Sequence, residues 1–143
     1  MKIYQLLIIT FLTSCNNCPI IPNNTESFQD VSLGVCLASG LPKNEYIINS
    51  ESEFKKLQNN GNCSTQQTNI DFSSKTLLGK FTSGKCQLTI KKSVVVDKTN
   101  KTYTYYLGVC EEGLCKSLAV NMNWITVNKI ETGYSVKFVV EKK

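Results

Sequence analysis

The chain alternates between apolar and polar residues over most of its C-terminal half, from Ile70 onward. In one such stretch Val120, Met122 and Trp124 fall on one side and the residues between them on the other. A period of two is typical of strands that bury one face in an antiparallel sheet. It predicts strands over residues 75–81, 86–96, 102–110, 118–127 and 134–140. Shorter apolar runs predict two further strands, over 31–37 and 46–49.

A single helix is predicted ahead of the alternating region. Ser50 and Glu53 have the spacing of a capping box, and Phe54 and Leu57 follow at the i, i+3 spacing of a buried helical stripe. The helix is expected to span residues 50–60. The expected fold class is therefore α+β: a mainly antiparallel β-sheet, arranged as a small sandwich or half-barrel, with one short helix on its N-terminal side and braced by disulfides.

The N-terminus has the features of an export signal. Lys2 precedes an apolar run, Ile3–Leu12, which is about half as long as the roughly 20 residues that a membrane-spanning helix needs. The run ends in Leu12-Thr13-Ser14-Cys15, which resembles the lipobox of bacterial lipoproteins. That resemblance implies cleavage before Cys15, acylation of Cys15 with fatty acids such as palmitate, and attachment to a membrane, which we interpret as the outer membrane.

These features divide the chain into three predicted parts. Residues 1–14 are expected to be the signal peptide, and residues 15–30 the lipidated Cys15 with a flexible tether rich in Asn, Pro, Ser and Thr. Residues 31–143 are expected to form a single β-rich domain.

The charge of the mature chain argues against one class of partner. Without residues 1–14 it carries 15 lysines against 11 acidic residues, a net charge of +4, with no Arg, no His and no basic cluster. Nucleic-acid recognition favours a concentrated basic stripe and Arg side chains, so no nucleic-acid partner is expected. The lack of His removes His-containing triads and His-ligated zinc. No cofactor and no metal site is predicted.

The cysteine count favours disulfides. Lipidation of Cys15 leaves six further cysteines, an even number that is typical of exported disulfide-bonded domains: Cys18, Cys36, Cys63, Cys86, Cys110 and Cys115. A hairpin that turns between Asn100 and Lys101 places Cys86 opposite Cys115, whereas a register slip or bulge brings Cys110 into reach of Cys86 instead. Cys86–Cys115 is the favoured pair. Cys36–Cys63 and Cys18–Cys110 are then the remaining pairs, without independent support.

Side chains suited to catalysis are sparse. Glu111 and Glu112 are adjacent and are expected to point apart into water rather than to form a catalytic pair. Ser-x-Lys spacings, as at Ser83 and Lys85, are common by chance in a chain rich in both residues. Asp71 is expected to cap a turn, with a ligand contact as the alternative, and Trp124 is expected to pack in the core. No enzyme activity and no catalytic residue is predicted.

Three stretches resemble small, uncharacterised lipoproteins of Bacteroidota: Ile70–Gly79, Asn121–Ile130 and Tyr134–Phe138. Asn128 and Glu131 stand where those proteins have prolines. More distantly, the chain is similar to the C-terminal domain of PrcB, an accessory lipoprotein of a surface protease complex. The resemblance implies a location and a fold, and it implies no activity of its own.

The function expected from these features is that of a lipid-anchored, non-catalytic binding or accessory module for another envelope or secreted protein. Two loops are predicted to make the contact, through Ser83 and Lys85 in one and through Glu111, Glu112 and the apolar Leu114 in the other. One alternative is an inhibitor of a hydrolase, such as a protease or lysozyme, acting through the same loops. A structural surface protein is the other.

Overall fold

The computed structural model describes residues 18–33, 44–60, 69–113 and 115–143. These residues form seven strands and one helix. In chain order they are β1 (Phe28–Val31), β2 (Glu45–Ile48), α1 (Glu51–Asn60), β3 (Lys75–Lys85), β4 (Gln87–Asp97), β5 (Thr102–Glu112), β6 (Leu118–Asn128) and β7 (Ser135–Lys142).

The strands form two sheets. One has four strands in the order β1-β6-β3-β2, and the other has three in the order β4-β5-β7. Neighbouring strands are antiparallel except for β5 and β7, which are parallel. The architecture is therefore mostly antiparallel β with one short helix, and the three-stranded sheet is mixed where an antiparallel one was expected.

The four-stranded sheet carries a hydrophobic cluster on each face. On one face Leu77 and Trp124 pack against Phe54 and Leu57 of α1. On the other face Leu78, Ile125 and Val127 share a cluster with residues of the three-stranded sheet, namely Val94, Tyr105 and Leu107. Adjacent residues of β3 and β6 therefore point into different clusters, which explains why these two strands are almost continuously buried in the middle.

The helix forms as its sequence predicts. The Ser50 hydroxyl accepts a hydrogen bond from the Glu53 N–H at 3.3 Å, and the Glu53 carboxylate accepts one from the Asn49 N–H at 2.7 Å. The first bond satisfies a backbone donor that the first turn of a helix leaves unpaired, and the second ties Asn49, which precedes the Ser50 cap, to the same turn. Phe54 and Leu57 are 3% and 6% exposed, so the helix is held by its apolar stripe.

The hairpin between β4 and β5 has a different register from the predicted one. Asp97 pairs with Thr102, so the turn is centred between Thr99 and Asn100 and not at the Asn100–Lys101 step. The cause lies in Asp97, whose carboxylate accepts hydrogen bonds from the N–H groups of Thr99 and Asn100, both at 2.9 Å. The side chain thereby fixes a tight turn at this position.

The segment predicted to be a flexible tether lies partly on the domain. Residues 18–27, here called the N-terminal strap, run along the three-stranded sheet, and Phe28–Val31 form β1 against β6. The Thr25 N–H donates to the Val94 carbonyl at 2.9 Å, and the Val94 N–H donates to the Asn24 side chain at 2.8 Å. The strap thus covers part of the outer edge of β4, whose backbone groups need partners. The strand predicted over 31–37 is wrong where the structure describes it, because β1 ends at Val31 and residues 32 and 33 are not in a strand; residues 34–37 lie outside the described residues.

Candidate functional site

Two cysteine pairs lie at disulfide distance in the described residues. The Cα atoms of Cys86 and Cys115 are 5.3 Å apart, and those of Cys18 and Cys110 are 4.7 Å apart. Both pairs are among those that the sequence suggests, although Cys86 and Cys115 do not face each other as a pair within the hairpin. Cys36 and Cys63 lie outside the described residues.

The Cys86–Cys115 pair joins β3, β4, β5 and β6 where their ends meet. In the observed register Gln87 pairs with Glu112, which leaves Gly113 facing Cys86. The chain bends there, because Gly113 and Cys86 both have positive φ, at 99° and 61°. The bend brings Cys115 to Cys86, and the Cys86 N–H donates to the Ser117 carbonyl at 2.9 Å. We call this region, comprising Ser83–Cys86, Glu111–Gly113 and Cys115–Leu118, the disulfide end.

The described residues among the predicted partner contacts meet at the disulfide end. Glu111 lies over Gly84, since a Cβ atom on Gly84 would be 2.6 Å from the Glu111 Oε1. Glu112 accepts a hydrogen bond from the Thr89 hydroxyl at 2.6 Å. The two carboxylates therefore have different neighbours and do not form a pair.

Ser83 and Lys85 complete this group, although they lie at the end of β3 and not in a loop as predicted, just as Glu111 and Glu112 lie at the end of β5. The Ser83 carbonyl accepts a hydrogen bond from the Lys142 Nζ, while Lys85 is exposed at the last position of β3. Leu114, the predicted apolar anchor, lies outside the described residues.

Two exposed apolar side chains on β6 extend this surface and were not predicted. Leu118 is 73% exposed and Val120 is 47% exposed. In the register of the sheet Leu118 pairs with Lys85 and Val120 with Ser83, so both lie beside the predicted contact residues. Alternation places Leu118 and Val120 on the same face of the four-stranded sheet as Met122 and Trp124. The sequence pattern does not show which part of this face α1 covers, so the exposure of Leu118 and Val120 could not be predicted from it.

Trp124 is a core residue, as expected from its position in the alternation. It is 3% exposed and packs against Tyr46, with 5.5 Å between the ring centroids. Its ring lies directly over Gly79, where a Cβ atom would be 2.1 Å from the Trp124 Cζ3. It therefore does not belong to an exposed contact surface.

A cleft of about 500 Å³ opens beside the point where β1 ends. Its lining includes Trp124 and Asn123 on β6 and the ion pair between Asp30 and Lys92. The ion pair joins β1 of one sheet to β4 of the other. Asp30 and Lys92 are far apart in the sequence, and no motif marks them as neighbours.

The carboxylates with the most strongly lowered pKa lie at turns away from the disulfide end. Hydrogen bonds from the Ser73 and Ser74 hydroxyls, at 2.5 Å and 2.6 Å, lower the pKa of Asp71 to about 2. The backbone N–H and side-chain amide of Asn100 lower the pKa of Asp97. Both carboxylates accept the hydrogen bonds that stabilise their turns. Lys75, which follows the first turn, donates a hydrogen bond to the Asn128 side chain at 2.9 Å.

Burial acts in the opposite direction on a tyrosine. It raises the pKa of Tyr105, which lies in the core between the sheets and packs against Phe138. Tyr105 therefore stays neutral and contributes to packing.

The described part of the chain holds no group of three or more His, Cys, Asp or Glu side chains placed to bind a metal ion. No helix among the described residues is long and apolar enough to cross a membrane. No protein-family model, no curated protein and no solved structure matches the chain.

Proposed function

We propose that this protein is a lipid-anchored, non-catalytic module that binds another envelope or secreted protein through its disulfide end. The two sheets would form a small sandwich that supports this surface, and Cys15 would carry the lipid. The observation that carries the proposal is the exposure of Leu118 and Val120 beside Lys85 and Ser83, their partners in the register of the sheet.

The composition of this surface suits protein recognition. Protein–protein interfaces combine an apolar centre with a polar rim, and a few central residues supply most of the binding energy. Here Leu118 and Val120 would be the centre, and Lys85 would belong to the rim. Glu111 and Glu112 lie on other faces, because Glu111 contacts Gly84, on the opposite face of β3 from Lys85, and Glu112 is hydrogen-bonded to Thr89 of β4. The Cys86–Cys115 bond ties the surrounding strand ends together, which lowers the conformational entropy that binding would cost.

The chemistry of the surface favours binding over catalysis. The chain has no His to act as a general acid or base near neutral pH. Glu111 and Glu112 have separate neighbours, so they do not provide the facing pair of carboxylates that a glycosidase uses. Inhibition of a hydrolase by the same surface is the second candidate function, because an inhibitor also needs a pre-organised contact surface.

The proposal is tested with a photo-crosslinking amino acid at position 118 of the lipidated protein in its native membranes. Lys98, exposed in the opposite hairpin, is the matched control position. A protein captured from position 118 and not from position 98 is then purified, and its affinity for the module is measured. We expect Leu118→Asp and Val120→Asp each to weaken binding at least tenfold, and Lys98→Asp to leave it unchanged. Equal capture from both positions, or unchanged affinity in the β6 variants, would contradict the proposal.

The same experiment separates the two candidate functions. If the captured protein is a hydrolase, its activity is measured with the module and with the Leu118→Asp variant. Loss of activity only with the intact module would establish an inhibitor, whereas unchanged activity would establish an accessory module.

A further inference from the structure

The N-terminal strap is fixed to the domain almost from its first described residue. Cys18 is bonded to Cys110 in β5, and Pro19 and Ile21 pack on Gly108. A Cβ atom on Gly108 would be 3.1 Å from a side-chain carbon of each. The absence of a side chain at Gly108 therefore allows the strap to approach the sheet closely.

Ile20 has the opposite orientation. It lies between two residues that face the sheet and is 87% exposed, the highest value among the exposed large apolar residues of the described chain. An isolated exposed apolar residue is common on protein surfaces and by itself indicates nothing. Ile20 is of interest because it follows Cys15, the predicted site of the lipid, by only five residues.

Only two residues, Asn16 and Asn17, separate Cys15 from Cys18. A fully extended chain spans at most about 3.6 Å per residue, so the Cα of Cys18 lies within about 11 Å of that of Cys15. The headgroup layer of one leaflet is about 5 to 8 Å thick. A lipid on Cys15 would therefore hold Cys18, and with it the three-stranded sheet, at the surface of the bilayer.

We propose that the strap-covered face of the protein lies against the lipid bilayer, with Ile20 among the headgroups. This inference rests on the lipidation of Cys15 in the proposed function. It replaces the predicted tether over residues 15–30 with a short link and a domain that is seated on the membrane.

Charge does not account for this contact. Lys91 and Glu141 flank Gly108 on the neighbouring strands of the same sheet, so the face carries opposite charges side by side. The contact would depend on the apolar Ile20 and on the shortness of the link. We therefore expect it in vesicles of zwitterionic phosphatidylcholine, without a requirement for anionic lipids.

The test uses quenching of tryptophan fluorescence by brominated phosphatidylcholine in vesicles that carry the full-length, lipidated protein. Ile20→Trp reports on the strap, and Lys55→Trp reports on the exposed side of α1, which packs on the face of the four-stranded sheet that points away from the three-stranded sheet. Trp124 is buried and gives the same background in both proteins. We expect the added tryptophan at position 20 to be quenched at least threefold more than that at position 55. Equal quenching in vesicle-bound protein would overturn the proposal.

A third protein tests the link itself. A flexible Gly-Ser insertion of about 12 residues between Asn17 and Cys18 would let the domain leave the bilayer. Quenching of Ile20→Trp should then fall by more than half, and unchanged quenching would overturn the role of the short link. Mass spectrometry of the Cys15 peptide and flotation with vesicles identify a different failure: protein without lipid would contradict the proposed anchoring rather than the seating of the domain.

Discussion

Replacing Gly79 with alanine is expected to destabilise the protein, because Trp124 occupies the space that a side chain would need. The new Cβ would lie 2.1 Å from the Trp124 Cζ3 and 2.4 Å from its Cε3. Carbon atoms in contact are normally about 3.5 to 4.0 Å apart. The indole ring must therefore move by more than an ångström, or the strand must bend.

The surroundings leave the ring little room to move. Trp124 is 3% exposed and packs against Tyr46, and Gly79 is its direct neighbour in the pairing of β3 with β6. Overpacking of a tightly packed core costs about 1 to 3 kcal/mol. For a domain of this size we expect the Tm to fall by about 4 °C for each kcal/mol.

Gly84 provides the matched control on the same strand. A Cβ there would meet the end of the Glu111 side chain at 2.6 Å and a methyl group of Leu88 at 2.7 Å, and both side chains are flexible. We expect Gly84→Ala to change the free energy of unfolding by less than about 0.5 kcal/mol. Both variants are compared by urea unfolding of the oxidised Cys15→Ser protein, followed by far-UV circular dichroism.

A double-mutant cycle identifies the cause. Trp124→Leu alone is expected to destabilise by leaving a cavity, but it also removes the ring atoms that clash with the methyl group added by Gly79→Ala. In the Gly79→Ala, Trp124→Leu protein the total cost should therefore be smaller than the sum of the two single costs, by about 1 kcal/mol or more. A Gly79→Ala protein as stable as Gly84→Ala, or additive costs in the double variant, would refute the reasoning.

Three further predictions concern stability. Replacing both cysteines of the Cys18–Cys110 pair by serine should lower the free energy of unfolding by about 4.6 kcal/mol in the chain-entropy treatment, against about 3.6 kcal/mol for the Cys86–Cys115 pair, because the first bond closes the longer loop. Urea midpoints that fall further for the second pair than for the first would contradict this order. Asp71, whose pKa is lowered from 3.8 to about 2, stabilises the fold above pH 4, and this contribution is lost as the pH falls toward 2. Asp71→Asn should therefore make the free energy of unfolding depend less on pH between 4 and 2, and an unchanged pH dependence would contradict the role of Asp71. Thr76→Val should lower the free energy of unfolding in urea by about 1 to 3 kcal/mol, because the Thr76 hydroxyl accepts a hydrogen bond from the Ile130 N–H at 3.1 Å and its loss leaves that donor without this partner. An unchanged free energy of unfolding would show that the bond is dispensable.

The parts of the fold that could be predicted are those with local signals. The helix was predictable because Ser50 and Glu53 satisfy its first turn and Phe54 lies on its buried face, all within five residues. Alternation, which reports directly on side-chain direction, placed the ends of β4, β5, β6 and β7 to within two residues, but it ended β3 four residues early. The parallel pairing of β7 with β5 was not predictable in this way, because alternation specifies which face is buried and not which strand lies alongside.

The candidate site was predictable only in part for the same reason. Ser83, Lys85, Glu111 and Glu112 could be selected from the sequence because they lie near cysteines. The structure brings them to the same end of the two sheets, where β3 and β5 end at the Cys86–Cys115 bond, but it places Glu111 on the opposite face of β3 from Lys85. Exposure of Leu118 depends on how far α1 extends over the sheet, which is a property of the tertiary structure.

The N-terminal strap is the clearest case in which composition misleads. A segment rich in Asn, Pro, Ser and Thr suits a flexible tether, because it cannot bury enough apolar surface to fold by itself. The same composition also suits a segment that covers the edge of a sheet, where polar side chains stay in water and supply hydrogen bonds to unpaired strand backbone. The contacts that decide between these two outcomes join Cys18 to Cys110 and Thr25 to Val94, across separations of about 70 to 90 residues. Because such contacts come from the folded sheet and not from the segment, a strap and a tether have the same appearance in the sequence, and they differ only once β4 and β5 are in place.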